Sequence, residues 1–260
     1  MTAHPRVTSQ TVFDRGFVHK LVADEVGITE DRQLHYERWQ WGGRLPSERL
    51  RGVRGSNVLG LLTFDSDLVH ALDVAGPEVQ RSVALCAARR ACDAAGLTDV
   101  GWVAPALTAL AQGHPLPAPF DDDDQMWETL RSAPLVPGPT VLGAMPPERP
   151  PYFPPPPAGW TWVPAAEPRD DGATRYELDR LPGSRAPMVS ASLLVYPGTP
   201  DVRGPISQPY FALPAVLAAA EPDPLKAALD AVWHALHTHG EHYPELLKEI
   251  WALCSGRARR

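Results

Sequence analysis

Four histidines, His234, His237, His239 and His242, fall within nine residues of one another, beside Glu241. Imidazole and carboxylate are ligands for zinc and iron. His234 and His237 stand three apart, which brings two rings together on one helical face. The candidate metal set is therefore His234, His237, Glu241 and His242, and zinc or iron is the metal it would take. The spacing matches no standard metal signature, so the primary expectation is no cofactor. On a helix His237 and His239 point about 200° apart, which works against closing a coordination shell. The same residues also suit a plain role, since partial positive charge is favoured at a helix C-terminus.

A second pair of ionisable groups closes the apolar run at 57–64 (NVLGLLTF): Asp65-Ser66-Asp67. It resembles the first motif of the haloacid-dehalogenase phosphatases. That resemblance implies Asp65 as nucleophile, Asp67 as acid/base and magnesium between them. It covers about eight residues, and Leu68 and Val69 stand where that family has Gly and Thr. Asp65 as the N-cap of a short helix through Ala75 accounts for the same residues without chemistry. No resemblance extends over the chain.

The aromatic residues offer binding chemistry. Trp39-Gln40-Trp41 and Trp160-Thr161-Trp162 repeat one W-x-W spacing. On a strand both rings of such a pair face one side, toward a partner or toward the core. A third feature is the run RPPYFPPPP at 149–157, where Tyr152 and Phe153 sit among prolines. Prolines in this density favour a polyproline II strand, which serves as a linker or docks on an aromatic groove. The candidate binding residues are Trp39, Trp41, Trp160, Trp162, Tyr152 and Phe153. Nucleophile motifs are missing: there is no GxSxG, and Ser190 and Ser192 have no histidine nearby in sequence. GVRGSNVLG at 52–60 matches neither phosphate-loop pattern.

The elements that must position these residues follow from periodicity. Phe13, Phe17 and Leu21 stand four apart and suggest a helix over 9–26, with an extended reading left open by Gly16. Residues 33–41 alternate and read as a strand, and 57–64 as a buried strand. Pro77 opens a helix that Gly96 closes; Pro105 and Gly113 bracket another. The acidic run at 121–124 reads as a helix start ahead of Met126, Trp127 and Leu130. Strands are expected at 160–163, 174–180 and 188–196. Asp223 and Pro224 open one terminal helix and Pro244 a second, joined as an αα-hairpin. The fold class is α+β: a small mixed or antiparallel sheet with packed helices and no regular βαβ alternation. The expected organisation is a single compact domain with a proline-rich excursion at 133–158. The alternative is two subdomains, 1–132 and 159–260.

Composition bounds the rest. The chain has 260 residues, 44% hydrophobic, with 31 acidic against 24 basic residues and a net charge of −7. An acidic chain repels phosphate backbones, so no nucleic-acid partner is expected. No apolar run is long enough for a membrane span, so no membrane partner is expected either. Lys20, Lys226 and Lys248 are the lysines, and the other basic residues are arginine. With heavy Ala and Pro use, that bias is typical of a high-GC bacterial genome. Cys86, Cys92 and Cys254 fit no disulfide framework, which points to a reducing cytoplasm. The functional expectation is a non-catalytic binding or adaptor protein that engages another protein. The alternative is a metal-dependent hydrolase built on residues 234–242.

Overall fold

The computed structural model describes residues 8–14, 17–23, 30–134, 140–166, 173–186, 188–195 and 204–256. The chain divides into two compact units. A sheet unit comprises Met1–Leu45 with Arg149–Asp201, and a helical unit comprises Pro46–Glu148 with Val202–Arg260. The proline-rich stretch at 133–158 is shared between them, with Arg149 onward belonging to the sheet unit.

In chain order the sheet unit begins with β1 (Thr8–Asp14), β2 (Phe17–Ala23) and α1 (Glu30–Gln40). The helical unit follows with α2 (Glu48–Gly52), α3 (Ser56–Val74), α4 (Pro77–Ala94), α5 (Val103–Gln112), α6 (Asp123–Ser132) and the short β3 (Val141–Leu142). The chain then returns to the sheet unit for β4 (Trp160–Pro164), β5 (Thr174–Arg180) and β6 (Ser192–Val195). It ends in the helical unit with β7 (Pro205–Ile206), α7 (Pro209–Ala219), α8 (Pro224–His239), a 3-10 turn (Gly240–His242) and α9 (Tyr243–Gly256). This is an α+β architecture. Among the described residues no helix is long and apolar enough to cross a membrane.

The sheet is antiparallel throughout, in the order β1-β2-β6-β5-β4. β4 pairs with β5 in a register that places Trp162 opposite Leu178. β6 brings Leu193, fully buried, between β2 and β5.

The helical unit is built around α8. Asp223 caps it by accepting from Leu225 N at 2.8 Å, and Pro224 fills its first turn. Most of its side chains are buried, including Ala227, Ala228, Ala231 and Ala235. α4 presents Ala84, Ala87, Ala88 and Ala91 to the interior. Such small faces let helix backbones approach closely, and the α4–α8 packing is the most extensive in the unit. Gln80 ties the helix ends together from a fully buried position. Its amide donates to Leu72 O and Ala75 O, both at 2.8 Å, and its Oε1 accepts from Arg49 at 3.2 Å. Its buried polar atoms are thereby satisfied, which is the condition for burying an amide. Trp233 lies on Gly60 of α3, where any side chain would collide with the indole.

Three of the sequence expectations are corrected. Within 9–26 the described residues are not helical; they run as β1 and β2, paired Thr8↔Ala23 through Asp14↔Phe17, which is the extended reading. Thr8, Thr11, Val12, Val18 and Val22 favour extended backbone, and that preference prevails over the four-residue spacing of the aromatics. Residues 33–41 are helical in α1 rather than a strand. The short alternation hid a helical spacing, in which Arg32, His35, Tyr36 and Trp39 share one face. Residues 57–64 lie inside α3, whose Val58, Leu61, Leu62 and Phe64 are all buried. A short apolar run is the same in a buried helix and a buried strand, and length decides between them. The strand expected at 188–196 shortens to Ser192–Val195, with Met188 exposed. The helices expected between Pro77 and Gly96, at 104–112 and after the 121–124 run, and the two terminal helices, are present.

Candidate functional site

The densest gathering of candidate residues lies on α1. Gly42 and Gly43 adopt φ of 73° and 92°, a left-handed turn that glycine alone enters cheaply, and α1 stops there. The helix displays His35, Tyr36 and Trp39 along one side. Tyr152 is inserted among them, with ring centroids 5.6 Å from His35, 5.0 Å from Tyr36 and 5.5 Å from Trp39. The Tyr36 contact is edge-on at 90°, a geometry the ring quadrupole favours.

Polar contacts fix the register of the proline segment on this face. Trp39 Nε1 donates to Pro150 O at 3.1 Å. Arg149 stacks over the Trp39 ring at 4.4 Å and donates to Gln40 O at 3.2 Å. Gln40 is the last residue of α1, so the guanidinium meets the negative end of the helix dipole. The Tyr152 hydroxyl reaches Arg32 O at 3.5 Å. Burial pushes the Tyr152 phenol up to about 12; nearby Arg32 opposes the shift and Tyr36 adds to it. The hydroxyl is therefore protonated and able to donate at neutral pH.

The next residue turns the other way. Phe153 packs edge-on against Tyr176 of β5 at 4.8 Å, and Trp162 Nε1 donates to Pro154 O at 2.8 Å. The segment thus runs between α1 and the sheet, touching one with Tyr152 and the other with Phe153. Of the six binding candidates, Trp39 and Tyr152 meet on the helix side, and Phe153 and Trp162 flank the segment on the sheet side. Trp160 is 6% exposed and lies 5.3 Å beneath Arg180; Trp41 is fully buried. Trp39 and Trp41 do not share a face, because Trp39 is on the helix and Trp41 follows its end. Trp160 and Trp162 do stand two apart on one strand, β4, and so share a face.

The histidines at 234–242 lie along the end of α8 and the turn that follows it. His237 Nδ1 lies 2.9 Å from Trp233 O; the carbonyl only accepts, so Nδ1 carries the proton. Its ring packs among Trp233 at 4.0 Å, Phe211 at 5.6 Å and Phe64 at 5.8 Å. His234 and His239 are held below the usual imidazole range, chiefly by burial. His242 and Glu241 are exposed, and Glu241 accepts from Leu142 N at 3.4 Å. Among the described residues no three His, Cys, Asp or Glu side chains are gathered to hold a metal ion.

Asp65 sits at an internal break of α3, where its φ of −159° and ψ of 91° leave the helix. Its Oδ1 accepts from Leu68 N at 2.9 Å, capping the second half. Its Oδ2 accepts from Trp251 Nε1 of α9 at 2.7 Å. Both oxygens are engaged in holding helices.

The sequence placed Arg149 at the head of the proline segment but gave no sign that it would stack on Trp39. Nor did it signal the stacked pair Trp127–Tyr210, 5.5 Å apart at 13°, which links α6 to α7. No local signal announces such long-range pairs. The chain matches no family model, no curated protein and no solved structure.

Proposed function

We propose that this chain is a non-catalytic binding or adaptor protein that works through a surface for another protein. The observation that carries the reading is the α1 face itself. Indole N–H groups aimed at proline carbonyls, with rings packed around an Arg-Pro-Pro-aromatic stretch, are the chemistry of peptide recognition rather than of bond cleavage. The groups that would do chemistry in the rival reading have structural tasks: Asp65 caps and bridges, and His237 is tied to its own helix.

The test is native mass spectrometry of the full chain purified gently from its host, set against its denatured mass. A stoichiometric protein partner is the expected result. A bare chain carrying the mass of a metal ion, lost on His237→Ala, would replace this reading with metal-dependent catalysis.

A further inference from the structure

We infer that the aromatic face of α1 is a recognition surface for a partner's proline-rich segment of the form Arg-Pro-Pro-aromatic, and that the chain's own residues 149–154 occupy it as an exchangeable ligand. This rests on the adaptor reading above and supplies the chemistry of its partner. The resident segment shows what the surface reads. Trp39 Nε1 takes a proline carbonyl, the Trp39 ring and Gln40 O take an arginine, and His35, Tyr36 and Trp39 enclose an aromatic ring.

Two features make the occupant replaceable. Pro150 and Pro151 have no N–H, so release strands no amide donor. The hydrogen bonds of Trp39, Arg149 and Tyr152 to this surface lie at exposed or part-buried positions, where water or a second peptide can satisfy the same groups. The resident fit is also incomplete. His35 Nδ1 is buried without a hydrogen-bond partner among the described residues. An incoming peptide that offers a polar atom there binds better than the resident segment, because an orphaned buried nitrogen is a standing cost.

An occupied surface weakens binding in trans by the fraction of time it is free. The experiment titrates a fluorescein-labelled peptide of residues 147–157 (PERPPYFPPPP) into the full chain and reads anisotropy. Arg149→Ala removes the stack on Trp39 and the bond to Gln40 O, so the resident segment competes less well for the surface. It is expected to tighten peptide binding by about fivefold, the gain for a surface that goes from about 9% to about 50% free. Trp39→Phe in the Arg149→Ala chain keeps a ring but removes the donor, and is expected to cancel that gain. Equal affinity for wild type and the Arg149→Ala chain, with far-UV dichroism unchanged, would overturn the inference. So would a gain that survives Trp39→Phe. A partner retained equally by wild-type and Trp39→Phe chains overturns this surface while leaving the adaptor reading standing; no partner in either chain removes the adaptor reading itself.

Discussion

The two units hold their helices by different means. In the helical unit α8 is buried on most of its surface, against Ala-rich and Leu-rich neighbours. In the sheet unit none of the described α1 side chains at 32–40 is fully buried. What α1 meets from the proline segment is one inserted tyrosine, one arginine stack and a few directed hydrogen bonds. Burial of apolar area is non-directional and tolerant of small shifts. A contact made of a few oriented groups depends on each of them. The first arrangement suits a scaffold; the second suits a surface that must let go.

The largest expected effect is in the scaffold. Trp233 is 8% exposed and packs on Gly60, Phe64 and His237. Trp233→Ala should cost roughly 3–5 kcal/mol in urea denaturation. A change within about 0.5 kcal/mol would mean the ring does not support α8, and the contrast between the units would collapse.

Tyr152→Ala should cost less, about 2–3 kcal/mol, because the ring's neighbours on α1 are themselves only half-buried. Hydrogen exchange should show the loss concentrated in α1 amides, with α8 protection unchanged. Equal loss of protection in α8 would show that the two units unfold as one.

The smallest effect is a titration confined to the scaffold. Burial, helped by Arg90, depresses His239, while Glu249 and Glu245 oppose the shift. Burial, helped by His237, depresses His234 against Asp230. Both rings are neutral in the folded chain and take up protons more readily when unfolded. Stability is therefore present above the unfolded imidazole pKa of about 6.5 and falls as pH drops below it. Urea midpoints at pH 7.5 and 5.5 should differ in that direction, and His239→Gln should narrow the difference. A midpoint that rises on acidification would contradict the burial of these rings.

Legibility in the sequence followed the same divide. The scaffold helices announced themselves through local chemistry. Pro77 and Gly96 bracket α4, Gly113 closes α5, and Asp122 and Asp223 cap α6 and α8 as their positions suggested. Asp65 as the cap of the stretch running to 75 was also readable, since the cap bonds a residue three positions on. Residues 33–41 in α1 and 57–64 in α3 were read as strands because their burial depends on partners far along the chain: Trp39 meets Pro150, and Gly60 meets Trp233. Periodicity in a short window cannot encode a distant partner. The same holds for the candidate site. Trp39, Tyr152, Phe153 and Trp162 were singled out by type, but which of them would meet, and that Arg149 would join them, was settled by long-range packing.

The separation between α1 and its fastening has a consequence for synthesis. Trp39 and Pro150 are 111 residues apart. At ~5–20 residues per second, α1 leaves the ribosome about 6–22 seconds before the segment that secures it. β2 waits longer still, since Lys20 pairs with Leu194 of β6. Throughout that interval the helical unit's residues 46–148 are emerging between them. β1, β2 and α1 are thus translated before residues 46–148 and completed after them, so their pairing groups stay open on the nascent chain for that interval.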